Sequence, residues 1–201
     1  MNQQEDVEKN ESTEEKIKEA ARRVFTRKGY AATRTRDIAE ESGYNLALIN
    51  YYFRSKEKLF DIIMLEQLQA FIYSVVGIVN DEQTSLMEKV EVLVAHYIDM
   101  LIKNPGLPLF ILSEANADPM KLIARAGFDD LKPEQMYIAK QWAEMTAEGA
   151  PLPPFNPLHL MMNILSMTIF PFVAAPIMKN KVGITTEQFN TLMEEREKLI
   201  P

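Results

Sequence analysis

The 201-residue sequence contains no cysteine. Disulfides and thiolate metal sites are therefore excluded, and a reducing compartment fits. Its two histidines, His96 and His159, lie far apart with no ligand spacing around them, so a metal site is not expected. There is no glycine-rich phosphate loop, no nucleophile elbow and no histidine clustered with acids. The pair Asp129-Asp130 falls in an expected loop, where solvation explains it. An enzyme is not expected, and neither is a cofactor. The N-terminal MNQQEDVEKNESTEE lacks the apolar core of a signal peptide. The most apolar stretches, 62–79 and 158–178, are broken by Glu66, Gln67 and Gln69 and by His159, Asn163 and Pro171. Neither is read as the roughly 20-residue apolar run of a spanning helix. A soluble cytoplasmic protein with no membrane partner is the expectation.

Charge is present but uneven. The formal net charge is −7, yet residues 16–58 hold eleven Lys or Arg against five Asp or Glu. Residues 1–15 hold one Lys and six acids, and the chain from Leu59 onward ten bases against eighteen acids. A small basic module thus precedes an acidic body, which suits a polyanion engaged locally.

Residues 1–12 show no apolar periodicity and read as a disordered arm. Ile17, Ala20, Ala21, Val24 and Phe25 then share one helical face, with Ser12 or Thr13 as cap and Gly29 as stop. Short helices follow over Arg34–Ser42 and Leu46–Phe53, separated by Gly43, with Asn45 as cap of the second. A long apolar helix is expected over Lys56–Val79. Ser85 and Glu88 form a capping box for a helix with Val90, Leu93, Val94, Tyr97, Ile98 and Leu101 on one stripe. Further helices are expected over 107–117, 119–126, 134–147, 158–178 and from Thr186 to Leu199, with a proline-rich loop over 149–154. The class is all-α, with about nine helices.

Two short helices joined by a glycine turn and propped by a longer one form a helix-turn-helix. The second helix of such a unit enters the major groove, its N-terminal residues facing base edges. Asn45 offers a polar side chain at that helix N-terminus. Ala47 is small enough for close approach, Leu46 and Leu48 suit thymine methyls, and Asn50 suits a base or phosphate. Tyr51 and Tyr52 carry hydroxyls for phosphates, and Lys56 adds charge. Thr35 and Arg36 point the same way from the preceding helix, while Ile49 and Phe53 belong to the core. The tyrosines also suit packing against the first helix, and Arg22, Arg23, Arg27 and Lys28 also suit a solvated face.

The run RRVFTRKGYAATRTRDIAEESGYNLALINYYFRSKEKLF resembles the N-terminal domain of the TetR family of bacterial transcriptional regulators. The matching elements are Phe25, Gly29-Tyr30, Thr33, Ile38-Ala39, Gly43, Tyr52-Phe53, Lys56 and Leu59. They span roughly Thr13–Phe60. The resemblance implies a homodimeric repressor with a three-helix DNA-binding head over 13–58. A helical body over 59–201 would bind a small molecule and dimerise through the last two long helices. It places DNA contacts on Thr35, Arg36, Leu46, Ala47, Leu48, Asn50, Tyr51, Tyr52 and Lys56. Asn50 stands where tyrosine is more usual, and Thr35 where an apolar residue is common. KNPGLPLFILSEA and NPLHLMMNILSMTIF resemble body helices of the same family.

In the body, an apolar cavity is expected with Phe71, Tyr97, Phe110, Trp142 and Met161 as candidate lining. Glu114 either recognises a cation or forms an internal pair. Met161, Met162, Met167 and Met178 read as core before they read as ligand-lining residues. The alternative function is a dimeric helical interaction or small-molecule-binding protein that no longer binds DNA.

Overall fold

Helical periodicity governs the described chain: ten α-helices, one for each expected segment, and no strand among the described residues. The computed structural model describes residues 2–147, 156 and 158–200, with side chains from Thr13 onward. The proline-rich segment 149–154 lies outside them.

Helices α1 (Asn2–Lys28), α2 (Thr35–Ser42) and α3 (Leu46–Phe53) form the head. Ile17, Ala20, Ala21 and Val24 are fully buried on one face of α1. The helix begins at Asn2, so it takes in the stretch read as a disordered arm, and Ser12 and Thr13 lie within it rather than capping it. Residues 2–12 contain no glycine or proline, and nothing in their backbone chemistry stops the helix.

Ser55 caps α4 (Lys56–Asn80), its hydroxyl accepting from the Lys58 N–H at 3.2 Å. Leu59, Ile63 and Leu68 of α4 join Ile17, Phe25, Ile38, Ile49 and Phe53 of the head in one cluster. Leu107 and Phe110 of α6 (Leu107–Ala117) and Leu122 of α7 (Pro119–Ala126) belong to it too. Head and body share this core, and the division read at 58/59 falls in the first turn of an unbroken helix. Charge fastens the same joint. Glu66 on α4 accepts from Lys18 Nζ at 2.7 Å and from Arg22 Nη2 at 2.6 Å.

A second core lies deeper in the body. Val90, Val94, Ile98 and Leu101 of α5 (Leu86–Lys103) meet Ile164 and Phe172 of α9 (Leu158–Ile177) and Phe189 and Met193 of α10 (Thr186–Arg196). The capping box read at Ser85/Glu88 is formed, and a second one, Thr185/Gln188, starts α10. Lys89 is wholly buried, and its ammonium donates to the carbonyls of Asp81 (2.5 Å) and Thr84 (2.7 Å) and to Thr84 Oγ1 (2.8 Å). The helix expected from Glu134 starts later. Pro133–Gln135 form a 3-10 turn, extended Met136 follows, and α8 covers Tyr137–Ala147.

Pro171 and Pro176 lie inside α9. Proline has no N–H, so the carbonyl four residues back loses its helical partner. For Pro171 that carbonyl is Met167 O, and Arg196 of α10 donates to it from Nη2 at 3.0 Å. The helix then widens into a π-turn over Met178–Val182.

Two 25-residue stretches, Lys56–Asn80 and Leu158–Val182, are long and apolar enough to cross a membrane by length and composition. This corrects the sequence reading: single polar residues interrupt the runs without offsetting them. In α4, Leu59, Ile63, Leu68 and Ile72 are buried core residues. In α9 most of the apolar surface is exposed, including Phe170 at 67%.

Candidate nucleic-acid interface

Gly43 turns the chain between α2 and α3. Its φ of 73° and ψ of 9° lie in the left-handed region, which a residue with a Cβ enters only with strain. Its N–H donates to Ala39 O at 3.0 Å and closes α2. Asn45 opens α3, with Oδ1 accepting from the Leu48 N–H at 2.9 Å.

Helix α3 has two faces. Ile49 and Phe53, each 2% exposed, lock it into the head. On the outer side Leu46 is 46% and Tyr51 77% exposed. Asn45, Ala47 and Asn50 are exposed with them, and Leu48 is half-buried. Tyr52 leans on the head core and meets the Tyr51 ring edge-on at 5.3 Å. On α2, Arg36 is exposed and Thr35 half-buried. The turn therefore sets α2 and α3 side by side, with the residues singled out on them exposed or half-buried.

Lys56 occupies a more structural place than a free surface cation. Its Nζ donates to Tyr30 O at 3.1 Å and Thr33 O at 3.0 Å, and sits 4.1 Å from the Tyr30 ring centroid. It thus ties the start of α4 to the turn between α1 and α2. The basic residues of α1 are also engaged. Arg23 and Arg27 both donate to Glu41, at 2.8 and 3.0 Å, and Lys28 pairs with Asp37 at 3.0 Å. Guanidinium hydrogen bonds, from Arg23 first and then Arg27, hold the Glu41 carboxyl below the usual carboxylate range. The Asp37 carboxyl is lowered by the Arg34 backbone N–H and then by Lys28. Sequence reading missed Glu41 and Asp37 as partners. Arg23 and Arg27 share a helical face, but only the packed head puts Glu41 opposite them.

The candidate body residues do not form one site. Phe71 and Tyr97 meet edge-on at 4.6 Å, and burial pushes the Tyr97 phenol up to about 12. His96 stacks on Phe71 at 5.0 Å and lies 2.5 Å from Ser74 Oγ, a polar pair unread in the sequence because its members are 22 positions apart. Phe110 belongs instead to the head–body core, edge-on to Phe60 at 6.3 Å. Glu114 forms an internal pair, accepting from Arg125 at 2.9 Å. Trp142 is half-buried on α8. Met161, 48% exposed on the outer side of α9, lies on a surface and not around an interior space. A recess of about 410 Å³ between the end of α4 and α8, with Asn80, Met136, Tyr137 and Lys140 in its wall, includes none of these residues.

Residues 17–63, from the buried face of α1 through α3 into α4, match the family described as bacterial regulatory proteins, tetR family. Residues 17–63 thus make up a TetR-type N-terminal domain. Over 60 residues it is 37% identical to the probable HTH-type transcriptional regulator YttP of Bacillus subtilis. That stretch is 30% of this chain and 29% of YttP, so the likeness to this curated relative spans less than a third of its length. In fold the likeness covers nearly everything. A TetR/AcrR-family transcriptional regulator from Thermobifida fusca superposes with a TM-score of 0.62 at 20% identity, over 93% of this chain and 95% of that one. FadR from Bacillus subtilis, crystallised in complex with stearoyl-CoA, gives 0.54 at 16% identity, over 92% and 96%. The TetR-type head is thus related by sequence, and the body by architecture.

Proposed function

We propose that this chain is a TetR-family, ligand-responsive transcriptional regulator, a repressor released from a palindromic operator by an apolar or amphipathic effector. One observation carries the reading: α3 buries Ile49 and Phe53 while presenting Leu46, Ala47, Asn50 and Tyr51 to solvent. A helix held so firmly on one side and bare on the other is built to enter a groove. In this reading Leu46, Ala47, Leu48 and Asn50 meet base edges from a helix that Asn45 caps. Thr35, Arg36, Tyr51 and Tyr52 meet the backbone, and Lys56 holds the head in shape through the Tyr30 and Thr33 carbonyls.

Two copies pair through α9 and α10 in this proposal. The support is the apolar surface there: Leu158, Met162, Phe170 and Ile177 of α9 are each more than half exposed, and Leu192 of α10 is 40% exposed. Twofold symmetry then spaces the recognition helices by about 34–36 Å, one turn of the duplex. Phe71, Tyr97 and Trp142 remain the proposed effector-facing residues, with the His96–Ser74 pair as the polar point of recognition. The FadR complex with stearoyl-CoA is consistent with an amphipathic effector class. An effector that favours one spacing of the heads shifts the dimer off DNA.

The test is selection of duplexes from a random pool by the full chain, followed by titration of the selected duplex at several salt concentrations. A palindromic consensus, a dimer in solution and a log–log salt slope near −5, as about six neutralised phosphates would give, are expected. A dimer with no salt-sensitive affinity for any duplex overturns the reading. It would favour the alternative of a helical binding protein that does not engage DNA.

A further inference from the structure

Among the described residues only one other than glycine has a positive φ: Arg54, at φ 62° and ψ −41°. Its own N–H donates to Asn50 O at 2.9 Å and closes the last turn of α3. The next N–H, of Ser55, reaches back to Phe53 O at 2.7 Å. Arg54 is therefore the centre of a three-residue γ-turn of the rare, strained handedness. The turn lets α3 pass into α4 within two residues, but nothing in it calls for arginine. Glycine would adopt the same backbone freely.

The side chain gains nothing inside the protein either. Arg54 is exposed and makes no ion pair or side-chain hydrogen bond among the described residues. Its neighbours differ in this respect. Arg22, Arg23, Arg27 and Lys28 are neutralised by Glu15, Glu66, Glu41 and Asp37, and Lys56 is spent on two carbonyls. Five of the eleven Lys and Arg of residues 16–58 are thereby engaged, while Arg36 and Lys58, like Arg54, form no ion pair among the described residues. Arg54 is an uncommitted cation one turn beyond Asn50 and Tyr51, at the far end of the helix from the base-reading residues.

We propose that Arg54 is a DNA phosphate anchor, held at a backbone cost because its guanidinium grips the sugar-phosphate strand beside the groove that α3 enters. The inference rests on the DNA-binding reading above. The N-terminal part of a recognition helix meets base edges, so its C-terminal flank lies nearer the groove wall, where phosphates are. A guanidinium binds phosphate oxygens in a two-pronged fashion that suits such a grip.

The experiment compares the full-length wild type with R54G and R54K on two duplexes of equal length, the selected operator and a scrambled one, over a salt series. For R54G the expected result is weaker binding to both duplexes by the same factor and a salt slope shallower by about one unit per subunit. Its melting temperature should match or exceed that of the wild type, since glycine relieves the turn. R54K should keep the slope. R54G binding both duplexes with wild-type affinity and slope would falsify the anchor while leaving the DNA-binding reading intact. Weakening confined to the selected duplex would make Arg54 a base reader and overturn the proposal, and so would a melting temperature that falls in step with affinity. A wild type that binds no duplex at low salt would remove the regulatory reading itself.

Discussion

Arg196 donates to Met167 O at 3.0 Å, the same carbonyl that Pro171 leaves without a helical partner. A proline in α9 has thus made an acceptor, and α10 uses it. Arg196→Ala should destabilise the chain by about 1 kcal/mol, the usual cost of leaving a half-exposed acceptor unpaired. In a Pro171→Ala background, where residue 171 regains its N–H, the same replacement should cost much less. Urea unfolding of the two single variants and the double variant measures the coupling. Strictly additive effects would show that the two residues are unconnected.

Lys56 holds the Tyr30 and Thr33 carbonyls and lies over the Tyr30 ring. Replacing it with alanine removes both charged hydrogen bonds and should cost about 2 kcal/mol of stability. Operator affinity should fall in the same variant because the α1–α2 turn loosens. Hydrogen exchange at the amides of residues 29–34 distinguishes this from simple loss of surface charge. Faster exchange there is the expected outcome, and unchanged exchange with weakened binding would mean that Lys56 acts on DNA alone.

Glu41 and Asp37 both have carboxyls held below their usual range. A depressed folded-state value means that the stabilising pairing is complete above the ordinary carboxylate range and disappears as the pH falls through the lowered values. The head should therefore lose stability on acidification below about pH 4. Glu41→Gln should already lack its share at neutral pH, and its melting temperature should change less between pH 7 and pH 3 than that of the wild type. Circular dichroism melts across that range give the comparison.

Asp61 carries the opposite sign. Burial raises its carboxyl above the usual value, Glu114 and Glu57 raise it further, and Arg125 and Lys121 offset part of this. A raised folded-state value means that ionised Asp61 works against folding at neutral pH, and that the cost is relieved as the pH falls through the raised value. Asp61→Asn should raise the melting temperature at pH 7 by about 2 °C. The gain should vanish in acid, where the wild-type side chain is itself protonated. A gain independent of pH would point to packing instead.

Local chemistry made much of this legible in the sequence. Gly43 had to be the turn because only glycine takes its backbone readily, and Asn45 and Ser85 announced helix starts through their own hydrogen bonds. The inward face of α3 followed from the spacing of Ile49 and Phe53. What stayed hidden depends on partners distant in sequence. Arg22, Arg23, Arg27 and Lys28 on α1 suited either a polyanion or a solvated face, and the partners Glu66, Glu41 and Asp37 lie on other helices. Lys56 matched the family pattern, but its grip on residues 30 and 33 needs the folded turn. Met161 followed the same periodicity as buried methionines, and only the placement of α9 sets it on the outside.

The Glu66 carboxylate ends both Lys18 and Arg22 on a helix that starts in one functional half and finishes in the other. Cutting the gene after residue 58 would strand these two cations and strip Ile63 and Leu68 from the interior around Ile17. Such a fragment is a poor stand-in for the intact reader. In the proposed regulation the same joint would make α4 a lever, carrying a tilt of its far end to α1 through Glu66 and the shared core.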